Sequence, residues 1–217
     1  VRLYLASTSP ARLATLRAAG VEPVVVPSNV DEDAAVAEAG TPGPAETVLL
    51  LARLKAEAVA SGRPDGAVID GTAIDGFVLG GDSVFELDGR VYGKPHTASV
   101  ARERWELQRG RTGVLHSGHW LIDLRGGELR GAAGAVSSAK VSFADDVTDA
   151  ELDAYIATGE PLHVAGAFTI DSLGAPFITS VDGDPHTVVG LSLSTLRRLL
   201  RGFGVEWHEL LVPHGAR

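Results

Sequence analysis

Phe77-Val78-Leu79-Gly80-Gly81-Asp82-Ser83 is the stretch around which this chain is organised. A short apolar run ends in two glycines and an acid, the pattern of a buried strand that delivers a carboxylate. Glu86-Leu87-Asp88-Gly89-Arg90 follows and predicts a β-hairpin with Asp-Gly at its turn. Gly93-Lys94-Pro95 comes next. A hairpin doubles the chain back, so Asp82 and Lys94 are expected to face one another across its open end. Asp82 then stands ready to hold a metal or a water, and Lys94 a phosphate.

The bulk numbers are those of a folded, water-facing protein. The 217 residues suffice for one large domain or two lobes around a cleft, and 45% hydrophobic with 22% charged residues is a globular balance. A net charge of −9 argues against non-specific binding to nucleic acid or an anionic membrane, but a small phosphate ligand needs only a few local cations. With no cysteine there is no disulfide framework, thiolate metal site or thiol nucleophile. No run approaches the ~18 apolar residues of a membrane span, so a cytoplasmic location is expected.

Upstream, Leu3-Tyr4-Leu5-Ala6 reads as a buried strand. Ser9 is a natural N-cap and Pro10 a natural first helical residue, with Arg12 on the first turn and Gly20 as the stop. A helix N-terminus lined by Ser7 and Ser9 suits an anion, although on spacing alone an ordinary capped helix is the commoner meaning. Residues 21–27 read as a second strand. Asp31-Glu32-Asp33 are either a source of a metal ligand or the charged first turn of a helix, and the helix turn is favoured on spacing. Residues 45–60 predict a helix with Lys55 beside its apolar stripe, where a lysine by default extends to water. Residues 62–66 read as a loop, and Val68-Ile69-Asp70-Gly71-Thr72 as a small strand and turn.

Downstream, residues 96–108 are expected to be helical. Residues 114–124 are expected to form a strand whose His116 and His119, three apart, face opposite sides and do not share a metal. Residues 131–143 alternate as a long strand. Thr148-Asp149-Ala150-Glu151 is a capping box opening a helix through Tyr155-Ile156. Residues 164–171 read as small-residue rich and then strand-like, 176–181 as a strand, and 193–201 as a final helix with Arg197, Arg198 and Arg201 in solvent. Helices and strands alternate in the first half and strands cluster in the second, so the fold class is α/β with a mixed sheet.

Several common signatures are absent. Gly89 to Lys94 lacks the spacing of a Walker loop and has Pro95 where a Ser or Thr would hold magnesium. There is no dinucleotide-binding glycine fingerprint, no G-x-S-x-G elbow and no histidine zinc signature.

Taken in order, the pieces resemble the Maf family of nucleotide pyrophosphatases. Leu5-Ala6-Ser7-Thr8-Ser9-Pro10-Ala11-Arg12 is similar to its S-x-S-P-R-R segment, Val30-Asp31-Glu32 to its acidic motif, and Leu51 to Ala56 to its helical lysine motif. Gly80-Gly81-Asp82-Ser83 resembles its G-A-D-T and Gly93-Lys94-Pro95 its G-K-P. Tyr155 through Gly166 resembles Y-x-x-x-x-E-P-x-x-x-A-G, and Val188-Val189-Gly190-Leu191 its V-V-G-L-P. The resemblance spans nearly the whole chain.

That resemblance implies one domain over residues 1–217, with a mixed twisted sheet, helices on both faces and two lobes around a deep cleft, related to the inosine triphosphatases. It implies hydrolysis of nucleoside triphosphates to a monophosphate and pyrophosphate, with Mg2+ or Mn2+. Asp82 would be the general base or a metal ligand, with Glu32 sharing the metal. Lys55, Lys94 and Arg12 would neutralise phosphate charge, and Ser7, Ser9 and Ser83 would bind substrate. Asp171 stands where the dTTP- and UTP-preferring branch carries glutamine, and it cannot donate to a pyrimidine carbonyl, so that preference does not carry over. Ala11 replaces one arginine, and Gly66 to Gly76 resembles an insertion. A homodimer is expected. The alternative function is a non-catalytic nucleotide-binding regulator of septum formation, and a nucleotide monophosphatase is a third possibility.

Overall fold

The computed structural model describes residues 1–40, 42–61, 68–69 and 72–212. The chain begins with strand β1 (Leu3–Ala6), helix α1 (Pro10–Ala18) and β2 (Val24–Val25), followed by α2 (Glu32–Glu38) and α3 (Pro44–Ala60). The short strands β3 (Val68–Ile69) and β4 (Thr72–Ala73) pair with each other. The long strand β5 (Phe77–Leu87) and β6 (Arg90–Tyr92) make the predicted hairpin, with Asp88 and Gly89 at φ 52° and 74°. Then come α4 (Ala98–Gln108), β7 (Thr112–Asp123), β8 (Gly131–Phe143), α5 (Asp149–Ala157), β9 (Ile178–Asp182), α6 (Pro185–Val189) and α7 (Leu193–Gly202).

One mixed sheet of seven strands carries the structure, in the order β2-β1-β5-β7-β8-β9 with β6 beside β5. β2 and β5 run parallel to β1, while the pairings of β5 with β7, β7 with β8 and β8 with β9 are antiparallel. Helices cover both faces. The apolar stripe of α3 packs Ala56 and Val59 on Tyr4, Ala6, Val78 and Ile122. The opposite face carries two separate cores. Leu3, Leu5, Phe77, Leu79 and Leu121 pack under Leu16 of α1 and Leu196 and Leu200 of α7. Phe85, Leu115, Val141 and Phe143 pack with Trp105 of α4 and Tyr155 of α5.

β5 therefore belongs to both cores, and its outer edge is divided in the same way. β1 pairs with residues 77–80 and β6 with residues 85–87. Between them, Gly81 to Val84 have a strand partner only on the β7 side among the described residues. The strand does not end at Gly80, as the glycines suggest, but runs through the acid. Gly80 and Gly118 are required by the close approach of α3: a Cβ on either would lie 1.9 Å from the Ala52 carbonyl oxygen or 2.1 Å from that of Val48.

Other differences from the sequence expectations are local. The second strand is only two residues long. Residues 164–171 form 3-10 turns and bends rather than a strand, because Gly166 and Ala167 adopt positive φ. A short helix, α6, precedes the last one, capped by Asp184 and stopped by Gly190 at φ 110°. The expected loop at 62–66 lies outside the described residues, and the segment Gly66 to Gly76 is described only at 68–69 and 72–76.

Candidate active site

The open edge of β5 is where the charged side chains converge. Asp82 points from the strand toward α3, which the glycines have let settle on the sheet. Lys55 Nζ lies 2.7 Å from Asp82 Oδ1 and 2.7 Å from Glu32 Oε1. The lysine is 7% exposed and does not extend to water; it turns inward to bridge two carboxylates. Glu32 is the first residue of α2, whose N-cap Asp31 accepts the Ala34 amide at 3.0 Å. Asp31-Glu32-Asp33 is thus a helix first turn that also delivers a carboxylate to the site. Burial pushes the Asp82 carboxyl above its usual range, against the opposing pull of Lys55 and Arg12.

The other face of the same edge holds Arg12, 8% exposed. Its Nε donates to the Gly190 carbonyl at 2.9 Å, NH1 to Ser7 Oγ at 3.1 Å and NH2 to Ser83 Oγ at 3.0 Å. Three elements from distant parts of the chain thus fix one guanidinium between the two cores. Two of its five N–H groups are not used by these bonds. Burial lowers its pKa while Asp82 and Glu32 raise it, and guanidinium stays charged in any event. Ser9 caps α1 by accepting the Arg12 amide at 3.4 Å, and its own amide donates to Ser7 Oγ at 3.2 Å. Ser7 is therefore a hub rather than a bare hydroxyl.

A polar chain behind Arg12 escaped the sequence reading. Ser83 Oγ lies 2.8 Å from Ser117 Oγ, which donates to the Thr187 carbonyl at 2.9 Å. His119, fully buried, accepts the Ser192 amide on Nε2 at 2.9 Å, so its proton sits on Nδ1. Burial, helped by the charge of Arg12, depresses its pKa to about 4 and keeps the ring neutral. These contacts hold the 190–192 turn whose carbonyl receives Arg12. The only local signal for it was Gly190 after an apolar pair. As expected, His116 faces the other way, with Nε2 2.9 Å from Glu86 Oε2 and Nδ1 2.8 Å from Ser138 Oγ.

Asp82, Lys55, Glu32, Arg12, Ser7, Ser9 and Ser83 thus come together. Lys94 and Asp171 are both exposed and make no ion pair among the described residues. The β5–β6 register ends at Phe85↔Tyr92, and beyond it the Gly93 carbonyl accepts the Gly166 amide at 3.4 Å, so Lys94 lies two residues past the paired part of the hairpin. Asp171 lines a groove of about 470 Å3 with Ala14, Thr15 and Ala18 of α1 and Val189 of α6.

Among the described residues no three His, Asp or Glu side chains form a metal cage. Lys55 takes Oε1 of Glu32 and Oδ1 of Asp82, which leaves one further oxygen on each carboxylate for a magnesium-type ion that takes its remaining ligands from water and substrate phosphates.

A model of the Maf-like protein family matches residues 2–203. The chain belongs to the Maf-like family. Relatives include a protein from Leifsonia xyli, 67% identical over 97% of this chain and 96% of its own length. A relative from Salinispora tropica is 53% identical over 92% of this chain and 83% of its own, and one from Saccharopolyspora erythraea is 47% identical over the full length of both. All three carry the name nucleoside triphosphate pyrophosphatase. The Maf-like match includes both halves of the divided β5 edge and every residue of the charged cluster.

Proposed function

We propose that this protein hydrolyses nucleoside triphosphates to a nucleoside monophosphate and pyrophosphate at the open edge of β5. The observation that carries the reading is Lys55 held between Asp82 and Glu32, with the buried Arg12 across the strand. The names of the relatives supply the substrate class.

A triphosphate needs fixed positive charge and a group that accepts a proton from the attacking water. Arg12 supplies a guanidinium whose position is set by Gly190, Ser7 and Ser83, so it needs little reorganisation as charge shifts in the transition state. Lys55 and the exposed Lys94 add positive charge on either side. Asp82, with its pKa raised by burial, is the base: it takes a proton from water as the oxygen attacks the α-phosphorus and the α–β bridging bond breaks. The leaving pyrophosphate meets the lysines. Glu32 and Asp82 would hold a divalent cation, which when bound lowers the pKa of water and offsets phosphate charge. The base end fits the groove beside Asp171, whose alanine-lined wall suits a flat ring.

Pyrophosphate release from a panel of nucleoside triphosphates with Mg2+ or Mn2+ tests this, for the native protein and Asp82→Asn. Metal-dependent release that falls at least 100-fold in the variant is expected. Nucleotide binding without release from any substrate overturns the reading and favours a regulator; free phosphate without pyrophosphate favours a monophosphatase.

A further inference from the structure

Glu160 is a carboxylate that the proposed chemistry does not use. It follows α5 and is half-buried. Five donors converge on it. Tyr155 Oη, Thr169 Oγ1 and the Gly174 amide reach Oε1 at 3.1, 2.5 and 3.2 Å, while Ser172 Oγ and the Leu173 amide reach Oε2 at 2.6 and 3.3 Å. Burial alone would raise its pKa, but the bonds from Ser172, Thr169, Leu173 and Tyr155 outweigh that and hold it below the usual range. Thr169 Oγ1 also accepts the Gly174 amide at 3.1 Å, closing the loop on itself. A Cβ on Gly174 would lie 2.6 Å from Tyr155 Oη, so the loop sits directly on α5.

Both ends of residues 169–174 are thus tied to one carboxylate. Ile170 and Asp171, between the ties, make no bond to Glu160 and instead line the groove with Ala14, Thr15 and Ala18. Two of the groove's lining residues are neighbours of Arg12 and its contacts along the chain: Thr15 lies one turn along α1 from Arg12, and Val189 precedes the Gly190 that accepts Arg12 Nε. The groove is mainly apolar, with Thr15, Asp171 and His186 as its polar lining; of these Asp171 is acceptor-only, so it discriminates by where it stands, since a misplaced carboxylate loses its hydrogen bond to a base N–H.

We infer that Glu160 is a positioning residue for base selection: its carboxylate fixes the 169–174 loop and so the place of Asp171 against the base. This deepens the nucleotide reading above and rests on it. The phosphate-binding residues are not part of the loop, so Glu160 should govern which base is accepted and leave the chemistry alone.

The test compares the native protein with Glu160→Gln, which keeps shape but removes charge and turns an acceptor into a donor, and with Thr169→Val and Thr169→Ser. Kinetics are measured for ATP, GTP, CTP and UTP, together with inhibition by pyrophosphate, which probes the phosphate end alone. In Glu160→Gln and Thr169→Val the ratio of best to worst kcat/KM should shrink at least fivefold, through KM. The kcat and the pyrophosphate inhibition constant should stay within twofold. Thr169→Ser, which keeps the hydroxyl, should behave as native. An unchanged ratio, or an equal loss toward all nucleotides and pyrophosphate, overturns the inference. Hydrogen exchange gives a readout independent of turnover: the Leu173 and Gly174 amides should exchange at least tenfold faster in Glu160→Gln. Unchanged exchange overturns the positioning role, whereas a native protein that releases no pyrophosphate overturns the hydrolase reading instead.

Discussion

Replacing Lys55 by methionine leaves the chain length of the side chain but removes the ammonium between Asp82 and Glu32. Glu32 is half-exposed, so water replaces its partner with little effect. Asp82 has no such recourse, with its side chain 10% exposed. Breaking one side of a buried ion pair destabilises by about 3–5 kcal/mol. The orphaned carboxyl binds a proton more readily than the paired one, which gives the loss a pH dependence that a simple packing loss lacks. In Lys55→Met the folded pKa of Asp82 rises further above its unfolded value, so the native state binds a proton that the unfolded state releases. Stability of the variant relative to native then falls as pH rises from about 4 to 7. Urea unfolding followed by the fluorescence of the buried Trp105, from pH 4.5 to 8, measures this. The double variant Lys55→Met with Asp82→Asn removes both charges of that pair, with Arg12 still charged across the strand, and should recover at least half of the loss, though inactive. A penalty for Lys55→Met under about 1 kcal/mol at pH 7, or one flat with pH, would refute the buried pair.

Gly118→Ala places a Cβ 2.1 Å from the Val48 carbonyl oxygen and must lift α3 by at least about 1 Å, which should destabilise by about 1–3 kcal/mol and, by displacing Lys55, reduce turnover at least tenfold. Gly202→Ala, with nothing within 4 Å of the new Cβ, is the control and should leave melting temperature and turnover unchanged or slightly raised. His119, its folded pKa depressed to about 4, binds a proton in the unfolded state first as pH falls below about 6.5. It should therefore remove about 3 kcal/mol of stability between pH 6.5 and 4, an acid-side loss that His119→Gln abolishes in the same urea titration.

Much of the framework was legible because it is local. Asp88-Gly89 makes the hairpin turn, where both residues need positive φ. Ser9 with Pro10, and Thr148 with Glu151, begin their helices as caps do, by bonds within three residues. The opposite faces of His116 and His119 follow from a period of two. What misled was also local: two glycines before Asp82 suggested a strand end, and in the fold they are the floor under α3. Residues 164–171 carried strand-forming side chains, but positive φ at Gly166 and Ala167 bends them into turns.

The chain alone determined the identity of the chemical groups, the carboxylate on a strand, the lysine beside a helix stripe and the arginine at a helix start, because each is read from a few neighbouring residues. The tertiary structure decided what those groups do to each other. Lys55 meets Asp82 across 27 residues, and Arg12 meets Ser83 across 71 and Gly190 across 178. Those contacts depend on β1 lying next to β5, on β6 pairing with the far end of the same edge, and on glycines that let a helix rest on the sheet. No local period encodes strand order or helix-to-sheet distance. Whether Lys55 extends to water or turns inward is settled only when burial of the α3 stripe has fixed both.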